Sequence, residues 1–171
     1  MANLPNYSKG NFETVMVPEQ LINDQKIGSS AIKEFITSDK ISEANKFLGY
    51  NYQNQGKVIH GLQRGRTLGY PTANIAVDGD QLIPSIGVYA TKIKVAGVWY
   101  NSMTSVGYNV TFKENTGITI ESNIFDFNQD IYGQPVVIEW VKYLRGEVKF
   151  DGAEGLIKQL ELDKSNSLKV L

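Results

Sequence analysis

From Gly56 onward the chain reads as strand after strand, broken by glycine-rich turns, and few architectures accept that pattern. Val88 to Val95 alternates, which puts Tyr89, Thr91, Ile93 and Val95 on one side. Ala96-Gly97 reads as a tight turn, and Val98 to Val106 as the hairpin partner. A polar loop follows from Gly107 to Gly117, then a strand from Ile118 to Phe127. Asn128-Gln129-Asp130 turns the chain, and Gly133-Gln134-Pro135 leads into a last strand, Val136 to Leu144. Short strands at this spacing argue for a closed or sandwiched antiparallel sheet. The chain ends in a helix that Asp151 can cap, and Ala153, Leu156, Ile157 and Leu160 form a stripe that should lie on the sheet.

Residues 1 to about 50 read differently. Phe12 to Val17 suggests one strand, closed by Pro18. Ser29 or Ser30 can cap a short helix through Ile36, with Ile32, Phe35 and Ile36 on one face. Ser38 or Asp39 can cap a second, with Ile41, Ala44, Asn45 and Leu48 on one face and Gly49 as a stop. One strand and two short helices bury little surface alone, so this piece must pack on the rest of the chain or on a partner.

Composition narrows the function. A formal net charge of −1 gives no electrostatic case for nucleic acid or an anionic membrane. The chain has no Cys, which removes disulfides and cysteine metal sites, and its lone histidine, His60, removes two-histidine mechanisms. No apolar run reaches the roughly 20 residues needed to span a bilayer, and the first residues lack a signal-peptide core. The expectation is a soluble cytoplasmic protein without nucleic-acid or membrane partners.

The densest stretch is Lys57 to Ile75, KVIHGLQRGRTLGYPTANI. A short strand through Val58 and Ile59 enters a basic turn in which Gly61, Gly65 and Gly69 let backbone approach a ligand closely. Arg64 and Arg66 carry forked donors suited to phosphate. Thr72 and Asn74 place hard oxygens two residues apart, on one side of an extended segment, where they could hold a small hard cation. No GxxxxGK[ST] loop is present, so a nucleotide would be held by glycine-rich backbone and arginines. In Ile118 to Asn123, Glu121 is one of the polar residues alternating with isoleucines. A solvent-facing glutamate and a site-facing one would then occupy opposite faces of that strand.

GLQRGRTLGYPTANI closely resembles the ATP- and metal-binding signature of riboflavin kinases. ESNIFDFNQDIYG, Glu121 to Gly133, resembles the segment holding that family's catalytic Glu, and YLRGEVKF, Tyr143 to Phe150, its flavin-side flap. Three motifs in the right order are far more specific than one. The resemblance implies a mainly β fold: a six-stranded antiparallel Greek-key barrel with a C-terminal helix, spanning 53–171. It implies Mg²⁺-dependent transfer of the ATP γ-phosphate to riboflavin, giving FMN and ADP. Glu121 would be the general base. Thr72 and Asn74 would bind Mg²⁺. Gly61, Arg64, Arg66, Thr72 and Tyr132 would contact ATP. Glu121, Arg145, Lys149 and Phe150 would contact the flavin.

More loosely, Val15 to Tyr52 resembles the last segment of the nucleotidyltransferase (FAD synthetase) domain that precedes the kinase in bacterial bifunctional flavin enzymes. Gly28, Ser30 and Lys33 depart from its pattern. Residues 1–52 would then be a small α/β remnant of that domain, able to dock a transferase domain or a second copy, and FAD synthesis is not expected. Val110, Asn123 and Gly146 depart from the kinase pattern, which keeps open a second reading, a flavin- or FMN-binding sensor with little turnover.

Overall fold

The computed structural model describes residues 12, 13, 15, 18–61, 65, 69–108 and 117–171. Arg64, Arg66 and Val110 lie outside the described residues, as does most of the polar loop after Tyr108.

The first described elements are two short strands, β1 (Leu21–Ile22) and β2 (Gln25–Lys26), paired antiparallel. Asn23 and Asp24 join them with φ of 50° and 60°, the left-handed geometry a two-residue hairpin turn requires and Asn and Asp tolerate. The strand expected from Phe12 to Val17 is not seen: Phe12, Glu13 and Val15 are irregular, and the rest lies outside the described residues. Helices α1 (Ser29–Thr37) and α2 (Ile41–Leu48) come next. Their expected serine and aspartate caps do not form, because the cap positions fall on Gly28 and Lys40 without side-chain bonds. Ile36, Ile41, Ala44 and Phe47 carry the buried faces, and Gly49 ends α2 at φ 78°. Asn45 fixes this helical unit to the sheet: its Nδ2 donates to the Trp140 carbonyl at 2.8 Å, and its Oδ1 accepts from the Tyr52 N–H at 2.8 Å.

Six strands then close into an antiparallel barrel: β3 (Gln53–Ile59), β4 (Ala73–Val77), β5 (Gly87–Val95), β6 (Val98–Tyr108), β7 (Ile118–Ile124) and β8 (Pro135–Arg145). The order around the barrel is β3-β4-β7-β6-β5-β8, so of the two architectures open to the strand pattern the closed one is realised, which leaves the barrel no edge strand. The β5–β6 hairpin turns at Ala96 and Gly97, both at positive φ. β7 stops at Ile124, short of the expected Phe127; the Phe125 N–H turns aside to the Asn101 carbonyl at 2.9 Å.

Alternation sets the interior. Tyr89, Thr91, Ile93 and Val95 are buried as their spacing requires, with Val58, Ile75, Ile120, Ile138 and Trp140. Tyr89 packs edge-on against Trp140, centroids 5.1 Å apart. The interior is also polar. The Trp140 Nε1–H donates to Asn54 Oδ1 at 2.8 Å, and Thr91, Ser102, Thr104 and Ser122 form a chain of hydroxyl bonds of 2.7–3.1 Å. Each is fully buried, and this mutual pairing offsets the cost of taking the hydroxyls out of water.

Helix α3 (Ala153–Leu168) begins after Gly152 rather than under an Asp151 side-chain cap. Leu156, Ile157 and Leu160 are half-buried, but Ala153 is exposed. The far half of the helix is anchored by buried Asp163; Ser167 is buried as well, and its Oγ has no hydrogen-bond partner among the described residues.

Candidate active site

Thr72, Asn74 and Glu121 come together on the outer wall of the barrel. The register pairs Asn74 of β4 with Glu121 of β7, and Ala73 with Ser122. Side chains on paired residues share a face, so Asn74 and Glu121 point outward while Ser122 points into the core. The Thr72 hydroxyl donates to Glu121 Oε2 at 3.2 Å. Glu121 is half-buried, and none of the described residues donates to its Oε1. Glu121 therefore faces outward and still lies in a cluster with Thr72 and Asn74, so its strand face alone does not separate the solvent-facing reading from the site-facing one.

Gly61 lies against the Asn74 carboxamide, so close that a Cβ there would overlap it. Any larger residue there would push the Asn74 carboxamide out of its place. The Gly65 carbonyl accepts from the Tyr70 N–H at 2.9 Å, pinning the turn to the segment before Thr72. Asn123, the next outward residue along β7, donates from Nδ2 to the Pro71 carbonyl at 2.7 Å and is 7% exposed. Its type gives no signal in the sequence, and its departure from the kinase pattern leaves this bond in place.

Behind Thr72 lies a cavity of about 430 Å³. Its wall mixes apolar Val58, Phe127 and Ile131 and the Tyr132 ring with polar Thr72 and the Asn128–Asp130 turn, so it offers both a surface for a ring and groups that can bond to it. Tyr132 stands at this cavity with the His60 ring stacked on it, centroids 3.9 Å apart and planes within 23°. His60, given no role in the sequence, thus supports an expected nucleotide contact.

The flavin-side residues are less gathered. The Arg145 Nε–H and an Nη2–H hold Asp163 at 3.0 and 2.6 Å, and Nη1 donates to the Gly146 carbonyl at 2.9 Å. Gln159 also donates to Asp163 at 2.8 Å. Arg145 therefore ties the end of β8 to α3. Phe150 is half-buried against Gly155 at the start of α3, and Lys149 is exposed. The loop they belong to comes nearest the cluster at Glu147. Glu147 Oε1 lies against Gly107, whose β7 partner is Thr119, two residues and about 7 Å along the strand from Glu121. Burial and the Asp39 charge push the Tyr143 phenol up, opposed by Arg145; burial and Glu161 do the same to Tyr70. Both stay neutral near pH 7.

Among the described residues no cluster of three or more His, Asp or Glu forms a metal cage. The set that does form, a hydroxyl, a carboxamide oxygen and one carboxylate, consists of hard oxygens. It fits a divalent cation whose remaining ligands are phosphate oxygens and water.

A riboflavin kinase (flavokinase) family model matches residues 48–171, and the chain belongs to that family. A bifunctional riboflavin kinase/FMN adenylyltransferase of Listeria monocytogenes is 47% identical over 167 residues, covering 98% of this chain and 53% of that protein. The Bacillus subtilis protein of the same description is 40% identical over 171 residues, covering 99% and 54%. The chain thus spans about half the length of the curated relatives it matches. A solved structure from Streptococcus pneumoniae, described as a macrolide-efflux protein, is 39% identical with a TM-score of 0.90 over 97% of this chain and 54% of its own. In the chain itself no helix among the described residues is long and apolar enough to cross a membrane.

Proposed function

We propose that this chain transfers the γ-phosphoryl group of ATP to the ribityl 5′-hydroxyl of riboflavin, giving FMN and ADP with Mg²⁺. The observation that carries the reading is the half-buried Glu121 carboxylate, paired across the strands with Asn74 and steadied by Thr72. Thr72 and Asn74 would hold Mg²⁺, which neutralises phosphate charge when bound. The Thr72 proton already points at Glu121, which leaves the lone pairs of its oxygen directed elsewhere. Held through Oε2, Glu121 presents Oε1 to the incoming alcohol and takes its proton as the new P–O bond forms and the bond to ADP breaks. The cavity behind Thr72 would take the nucleoside, with Gly61 at the phosphates and Tyr132, backed by His60, at the base. Arg64 and Arg66 would supply phosphate contacts. The 145–150 loop would cover the flavin, Phe150 at the ring and Lys149 at the polar chain. Arg145 would act there with whichever donors Asp163 leaves.

We assign 53–171 to the kinase and 1–52 to the tail of an adenylyltransferase part, a boundary within a few residues of the matched family model. Packed on β8 through Asn45, that tail would present its outer side to a transferase domain or a second copy. A kinase drawing on cellular ATP works in the cytoplasm, and we assign the chain there.

Purified protein with riboflavin, ATP and Mg²⁺, scored by chromatography, tests the reading: FMN should appear and should stop with EDTA. Flavin binding without FMN over prolonged incubation would favour a sensor. FMN and ATP should give no FAD.

A further inference from the structure

We propose that Asn123 is a positioning residue for the metal ligand Thr72. The inference rests on the kinase reading and adds a residue to its site. Regular pairing of β4 with β7 begins only at Ala73, so the Pro71–Thr72 peptide lies outside the ladder. That peptide carries the Pro71 carbonyl and the Thr72 N–H, and the carbonyl is the group turned toward β7. Asn123 grips it at 2.7 Å. A carbonyl only accepts, so the amide nitrogen is the atom that faces it.

Two residues back on the same face, Glu121 accepts from the Thr72 hydroxyl. The outer face of β7 thus holds adjacent residues at two points about 7 Å apart. One bond would leave Thr72 free to swing about it; two fix the peptide plane and the direction of the Thr72 lone pairs. Asn123 is 7% exposed, so little water can replace the bond when it is lost, and an orphaned buried carbonyl pulls the peptide elsewhere. Asn123 touches neither metal nor substrate. It acts through Pro71.

The test is calorimetric binding of ADP to the whole chain, with Mg²⁺ and with EDTA, for the wild type, Asn123→Leu and Asn123→His. Asn123→Leu should weaken Mg·ADP binding by about tenfold, the worth of one buried hydrogen bond. Binding in EDTA and binding of riboflavin should stay within about twofold. Asn123→His, whose ring N–H can reach the carbonyl, should recover most of the loss. If Asn123→Leu fails to fold, Asn123→Ser replaces it, since its hydroxyl falls short of Pro71. Unchanged Mg·ADP affinity, or an equal loss with and without metal, would overturn the inference. A wild type that binds ADP no better with Mg²⁺ would remove the metal ligation and this inference together. A wild type that makes no FMN, yet shows the Asn123-dependent Mg·ADP effect, would sink the reaction alone.

Discussion

Two polar clusters sit back to back on β7, separated by one strand's thickness. Inside, Thr91, Ser102, Thr104 and Ser122 are fully buried and bonded to one another, and Asn54 is matched to Trp140 in the same way. Outside, Thr72 and Glu121 share a bond of 3.2 Å beside Asn74, and Glu121 keeps an oxygen to which no described residue donates. Both use hydroxyls and a carboxamide, and the outer one adds a carboxylate. The difference is what remains unpaired: interior groups have satisfied one another and hold the barrel, while exterior groups keep capacity for a ligand.

Substitutions on either side can break that distinction. Glu121→Gln should lower FMN formation by roughly 10²- to 10⁴-fold, the usual worth of a general base, with melting temperature nearly unmoved. An unchanged rate in a folded protein would return Glu121 to the solvent-facing alternative. On the inner side, Asn54→Ala strands the Trp140 N–H in the core and should cost about 2–3 kcal/mol in denaturant unfolding, while the rate per folded molecule holds. Thr72→Ala should weaken Mg·ATP by roughly 10- to 100-fold, judged from what even outer partners of a metal contribute, with riboflavin binding kept.

The smallest effect lies in alkali. Burial pushes the Tyr89 phenol up to about 12, with the Ser85 hydrogen bond pulling the other way. The folded state favours the protonated phenol, whereas the unfolded chain ionises near pH 10. Tyr89 therefore stabilises fully below pH 10, and that contribution is lost as pH rises through about 12. Thermal melts between those values should fall less steeply in Tyr89→Phe, with part of the slope kept by Tyr52, whose phenol is also raised.

Much of this is legible in the sequence. The β5–β6 hairpin can be read because period-2 alternation and an Ala-Gly turn specify the same register. The three motifs name the family, and Thr72, Asn74 and Glu121 do converge. What stays hidden depends on register between strands distant in sequence. Nothing local shows that Asn123 meets Pro71, that Arg145 meets Asp163, or that His60 stacks on Tyr132. The expected helix caps fail because Gly28, Lys40 and Gly152 take those positions without side-chain bonds. The two faces expected for Glu121 collapse into one because a barrel's outer wall is not the same as bulk solvent.

The seam between β4 and β7 has a further consequence. β5 pairs with β6 along its whole length, but β4 meets β7 only at Ala73–Ser122 and Asn74–Glu121. This short seam is also the rung that sets Asn74 opposite Glu121. Hairpins such as β5–β6 can form early from local contacts, whereas this closure joins distant stretches and bears the loop-entropy cost of a late step. A nearly complete barrel, rich in strand signal, would still hold Asn74 and Glu121 apart. On the proposed reading, FMN formation should therefore recover in refolding after the spectroscopic signs of hairpins such as β5–β6.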